Sequence, residues 1–145
     1  MFNRFTKDAR TVVVAAREEA LAAGSSTVEA EHLLLALARR PHPVLQRANL
    51  DAEAVTEALA AETAASLAAV GVDWDVASRA RTGEPRFAAS AKLALERALP
   101  VAVQRGDHRL TSDHVLLGVL EADIGTVPRA LKLAGVDRAG LRAAV

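Results

Sequence analysis

The segment EAEHLLLALARR at residues 29–40 returns as TSDHVLLGVLEA at 111–122, each an acid–His pair ahead of an apolar run with helical spacing. Sliding the chain against itself by 82 positions aligns residues 5–39 with 87–121 without a gap. The shift matches Phe5 with Phe87, Ala9 with Ala91, Ala16 with Ala98, Ala20 with Ala102, Gly24 with Gly106 and His32 with His114. It also matches Leu34 and Leu35 with Leu116 and Leu117. A further shift of four residues sets LQRANLDAEAV against LKLAGVDRAGL. A chain that contains itself twice folds as two copies of one unit. The units run over about 2–70 and about 87–145, joined by a connector at about 71–86.

Each unit reads as four helices. In the first, Thr6 caps a helix over about 7–23 with Ala9, Val12, Val13, Ala16 and Ala20 on one face, and Gly24 stops it. A second helix over about 30–39 ends ahead of Pro41 and Pro43, and a short third follows at about 43–48. Asp51 caps a fourth that runs to about 69, and its alanines at helical spacing read as core packing. The second unit repeats the pattern at about 89–105, 112–121, 127–134 and 137–144, with Asp137 matching Asp51 as a cap. Pro100 is expected to kink or weaken its helix, and no segment alternates like a strand. Neither unit has an apolar stripe wide enough to close a core alone. The expected fold is therefore all-α, with two pseudo-twofold-related four-helix repeats packed into one domain over 1–145.

Composition removes several classes of function. Among 145 residues there is no cysteine, which excludes disulfides, thiolate catalysis and cysteine-ligated zinc. Eighteen basic residues balance eighteen acidic ones, so no overall field favours nucleic acid or an anionic membrane. No apolar run approaches the ~20 residues of a membrane span. The N-terminus MFNRFTKDAR is too polar for a secretory signal, and the chain reads as soluble and cytoplasmic.

As general bases, His32 and His114 lack a nucleophile at a telling spacing. As zinc ligands they lack HExxH and a third donor. They read as scaffold, with Glu31 and Asp113 in helix first turns where the dipole favours an anion. Both acids remain candidate anchors for a basic ligand. There is neither a GxxxxGKS/T nor a GxGxxG loop, so no catalytic residue, metal or cofactor is expected. Trp74, between Asp73 and Asp75, reads as a clip holding the connector to the body or else as a partner anchor, with the clip favoured. Phe2 either folds back onto the core or joins Phe87 and neighbouring charges in an exposed apolar surface.

MFNRFTKDARTVVVAAREEA, EAEHLLLALARR, RFAASAKLALERAL and DHVLLGVL together resemble the double Clp repeat, the N-terminal substrate-receptor domain of Clp unfoldases, and especially that of actinobacterial ClpC. The resemblance covers nearly the whole chain. It implies a non-enzymatic module of protein quality control and regulated proteolysis that binds unfoldase substrates, adaptors or cyclic-peptide antibiotics. It also implies a phosphoarginine site at Thr6 and Glu31, with the acid for the guanidinium and the hydroxyl and helix start for the phosphate. The second copy departs from this, with Ala88 for the Thr and Asp113 for the Glu, which weakens a second site. Phe2, Arg10, Phe87, Lys92 and Glu96 match the patch on which the cyclic peptides dock. The end at Val145, where ATPase modules would begin, leaves either a fragment of an unfoldase or a free-standing repeat domain, and the divergence of the copies inclines toward the latter. Such a domain would act as a decoy for toxins or tagged clients, or alternatively as a regulatory subunit docked on a ClpC-type unfoldase.

Overall fold

Eight helices follow the expected order in the computed structural model, which describes residues 4–40, 42–71 and 83–145. Phe2 and Trp74 lie outside the described residues. The first repeat holds α1 (Lys7–Ala22), α2 (Ala30–Arg39), α3 (Pro43–Arg47) and α4 (Ala52–Ala69). The second holds α5 (Ala89–Gln104), α6 (Ser112–Leu120), α7 (Thr126–Leu133) and α8 (Arg138–Ala144). No helix among the described residues is long and apolar enough to cross a membrane.

The α2 and α6 helices form the centre. Their residues from His32 to Leu37 and from His114 to Leu120 are buried without interruption, as expected of helices covered on every side. The α1 helix lies against α2, and α5 lies against α6, each presenting its stripe of small residues. In α1 the stripe is Ala9, Val12, Val13, Ala16 and Ala20, as the sequence spacing predicts. Small side chains allow close approach, and the second repeat takes this further. Gly118 stands where the first repeat has Ala36, and a Cβ there would collide with the Ala94 carbonyl oxygen of α5.

Strand pairing, which nothing in the sequence suggests, ties the repeats together. Two-residue strands β1 (Thr27–Val28) and β2 (Arg86–Phe87) pair in parallel, with Val28 opposite Phe87. An isolated parallel bridge joins Phe5 to Leu110. Under the repeat alignment these are the same contact made twice. In one, the Thr6 N–H donates to the Leu110 carbonyl at 2.9 Å, and in the other the Ala88 N–H donates to the Val28 carbonyl at 3.0 Å. Each repeat therefore lends its entry segment to the other. Runs this short have no room for alternation, which is why the pattern is silent about them. Phe5 and Phe87 occupy equivalent places, although Phe5 is fully buried and Phe87 only partly.

Pro100 lies inside α5, as expected, on its exposed side, where the helix gives up one backbone bond and continues to Gln104. Two local expectations change. Asp51 caps α4 through the Ala54 N–H at 2.8 Å, whereas Asp137 takes the N-cap place of α8 without a side-chain cap bond. The alanines of α4 are mostly not core, since only Val55, Ala58 and Glu62 of that helix are buried. Alanine there supplies helix propensity rather than burial. The long helix is instead fastened to α7, where the Arg129 Nε donates to the Glu62 Oε1 at 2.8 Å.

Gly118→Ala is expected to destabilise the fold by about 1–3 kcal/mol, because the collision is with backbone and the packed helices must separate. Urea denaturation followed by circular dichroism measures it. The reverse change at the matching position, Ala36→Gly, is expected to cost about 1 kcal/mol through helix propensity.

Candidate functional site

The duplicated histidines are capping devices. Glu29 is the N-cap of α2, and its N–H donates to His32 Nδ1 at 2.9 Å. Thr111 is the N-cap of α6, and its N–H donates to His114 Nδ1 at 2.9 Å. Each His sits at the third helical position, where a capping box usually has Glu or Gln, and satisfies a backbone donor that the helix leaves free. Accepting at Nδ1 leaves the ring proton on Nε2, and His114 Nε2 lies 2.8 Å from Asp107 Oδ2. Burial pushes the His32 imidazole below its ordinary value and outweighs the carboxylates of Glu29 and Glu19. Neither ring has a spare Nδ1 to act as a base. The scaffold expectation therefore holds in its geometry.

Glu31 and Asp113 do stand in the first turns of α2 and α6. Around Glu31 is a cavity of about 400 Å³, lined among others by Ser90, Leu93, Arg97, Ile124 and Arg129. Its walls come from both repeats, namely the start of α2, one face of α5 and the loop leading into α7. The Ser90 hydroxyl donates to the Glu29 carboxylate and accepts the Ala30 N–H at 2.9 Å, which fixes the floor beside Glu31. Burial holds the Glu31 carboxyl above its ordinary value, with the nearby carboxylates Glu29 and Glu62 adding to it. A backbone hydrogen bond and Arg129 oppose the rise. A desolvated carboxylate in a cavity with apolar walls gains from a ligand cation what it has lost from water. Glu62 is buried too, but the Ser66 hydroxyl at 2.6 Å and Arg129 outweigh its burial and hold it below its ordinary value.

The crossed bridges rearrange the expected pairing of site residues. The Thr6 N–H bonds Leu110, three positions ahead of Asp113, and the Ala88 N–H bonds Val28, three positions ahead of Glu31. By register Thr6 therefore stands with Asp113 and Ala88 with Glu31, not Thr6 with Glu31. The Thr6 hydroxyl is also engaged, accepting the Ala9 N–H at 3.2 Å as the cap of α1. At the Glu31 cavity the hydroxyl is that of Ser90, which the repeat alignment matches with Asp8. The remaining candidates lie elsewhere. Lys92 and Glu96 are exposed one turn apart on α5, and Arg10 is exposed at the equivalent turn of α1. Phe87 is half-buried against the core, with the Arg17 guanidinium 6.0 Å from its ring centroid. Arg97, Ile124 and Arg129 went unnoticed in the sequence because only the fold brings the α7 loop to α2.

Compared with known proteins, residues 4–133 match the family model of the Clp repeat (R) N-terminal domain. The chain belongs to the Clp repeat family. Over 137 residues it is 31% identical to the negative regulator of genetic competence ClpC/MecB of Bacillus subtilis, and 28% identical to the chaperone protein ClpB of Oceanobacillus iheyensis. The match covers 94% of this chain and only 16% of either relative. Among solved structures, the N-terminal domain of the caseinolytic protease-associated chaperone ClpD from Arabidopsis thaliana superimposes with a TM-score of 0.75 at 26% identity, covering 99% of this chain and 96% of that one. The N-terminal domain of Hsp104 from Candida albicans shares the fold, with a TM-score of 0.72 at 21% identity over 97% of this chain and 88% of that one. The all-α Clp repeat fold expected from the sequence is thereby established.

Two stability measurements check the electrostatics of the Clp repeat. Since the folded state holds the Glu31 carboxyl above its unfolded value, it binds more protons than the unfolded chain as pH rises through that range. Ionised Glu31 therefore costs stability at neutral pH. Glu31→Gln is expected to raise the urea midpoint near pH 7, with the gain vanishing below about pH 4. His32 has the opposite sign, since its lowered folded value contributes stability above the unfolded imidazole range that is lost as pH falls through it. His32→Gln keeps the capping box and is expected to lose less stability than wild type between about pH 7 and 5.

Proposed function

We propose that the chain is a non-enzymatic protein- and peptide-binding module that recruits clients or adaptors to a Clp-type unfoldase. Its primary contact is a cationic side chain received at Glu31. The observation that carries this is the Glu31 carboxylate itself, half-buried in a cavity whose walls include Leu93 and Ile124 and whose lining includes Arg97. Ile124 is 88% exposed and Leu93 45%, an unusual outlay of apolar surface for residues with no core to serve. A carboxylate and a guanidinium in one cavity match a ligand that is cationic at one end and anionic at the other. Phosphoarginine has that character, with its guanidinium toward Glu31 and its phosphate toward Arg97. Membership of the Clp repeat family supports the coarser statement, a substrate- or adaptor-binding module. Arg97 takes the phosphate-holding role expected of Thr6 from the sequence.

A cyclic peptide of the ClpC-binding kind is a second ligand class. The exposed Lys92 and Glu96, one turn apart on the helix that Phe87 introduces, favour it. Phe2 and Arg10 complete the patch in this proposal.

Calorimetric titration with free phosphoarginine tests the Glu31 reading, with arginine and inorganic phosphate as controls. Saturable binding is expected, weakened about ten-fold or more in Glu31→Gln, the scale of one lost charge-assisted hydrogen bond. No heat with the wild-type chain, or equal affinity in Glu31→Gln, overturns it.

A further inference from the structure

The repeat alignment makes Asp113 the counterpart of Glu31, but its surroundings differ in one systematic way. At Glu31 the covering loop comes from the second repeat and spans residues 121–125 between α6 and α7. At Asp113 the covering loop comes from the first repeat and spans only residues 40–42 between α2 and α3. That shorter loop places two basic side chains on two acids. His42 Nε2 lies 2.8 Å from Asp113 Oδ1, and Arg40 Nη1 lies 3.1 Å from Asp8 Oδ1. In the other copy the loop at 121–125 holds neither Arg nor His, and Ser90 stands where the alignment has Asp8, so neither clip is present.

The His42 contact is no casual surface pair. The ring is 93% buried by complement of its 7% exposure, and its Nδ1 is enclosed with no hydrogen-bond partner. Leaving a ring nitrogen unpaired inside the protein has a cost, which is accepted only where the other nitrogen is well held. Asp113 does border a hollow of about 430 Å³, but that hollow is built only from residues 105–114 and is not the counterpart of the Glu31 cavity. Its lining includes Arg105 and Arg109, which disfavour a cation there.

We propose that His42, seconded by Arg40, is an intramolecular occupant of the second acid site. The chain thus offers one cation-receiving cavity, at Glu31, where its duplicated architecture would otherwise provide two. The imidazole at Asp113 stands where the guanidinium or ammonium of a ligand stands at Glu31. His42 and Arg40 are accordingly the residues that set the valency of the module. A single site gives plain affinity, whereas two sites on one rigid body would favour multiply tagged clients through effective concentration.

This inference rests on the Glu31 reading, and the experiment separates the two. Titration with argininamide, a cation with no phosphate for Asp8 to repel, is expected to give one site per wild-type chain, two in the Arg40→Ala, His42→Ala variant, and one again when Asp113→Asn is added. Two sites in the wild type, or one in a double variant with unchanged circular dichroism, overturns the proposal. If the double variant loses its helical signal, His42→Gln alone carries the same count. Absence of binding by every form defeats the Glu31 reading only. The occupancy of Asp113 is then decided by carbethoxylation of His42 with diethylpyrocarbonate, read by mass spectrometry. Asp113→Asn is expected to speed modification of His42 about ten-fold, and an unchanged rate overturns the proposal.

Discussion

The reciprocal backbone bridge between entry segment and partner repeat is the constraint on which the rest depends. Phe5 to Leu110 and Phe87 to Val28 are the same contact made in both directions, and together they fix how the two copies face each other. Once these bonds are made, α1 and α5 can descend only onto α2 and α6, and the apolar faces of the central helices meet. The bridges also decide the neighbours of each acid. Because entry segments are exchanged, every wall of the Glu31 cavity except the start of α2 belongs to the second repeat.

The acid–His pairs show how structure and site share one short segment. The His closes the helix start, which frees the adjacent acid from capping duty and turns it outward. In the first copy the capping carboxylate is Glu29, held by the Thr27 hydroxyl at 3.1 Å and by Ser90. Glu31 is thereby released to stand desolvated in the cavity at a cost to stability.

Much of the fold was legible in the sequence because duplication and helical period are strong signals. Thr6, Asp51 and the glycine after α1 mark helix ends by their own chemistry, and the observed bounds fall within about a residue or two of expectation. What escaped was whatever depends on contacts between the copies. A two-residue strand has no period to detect, so the exchange of entry segments was invisible, and with it the pairing of Thr6 with Asp113. The alanines of α4 misled for a related reason, since helix propensity and burial leave the same residue type in the sequence. The place of Glu31 in a first turn was legible from the sequence. Arg97, Ile124 and Arg129 had no local signature, as their approach to Glu31 comes from the packing of α5 and α7 around α2.

The crossed bridge carries a consequence for the ancestry of such a chain. One repeat alone contains both halves of the contact, an entry segment ending in Phe and the short extended piece ahead of its second helix. It cannot satisfy them within itself, because each half seeks its counterpart on another copy. A lone repeat is therefore self-complementary, and two of them related by a twofold axis would restore both bridges and the central helix pair. In the present chain the two halves are covalently joined and not identical, with Glu31 bordering a cavity and Asp113 facing His42.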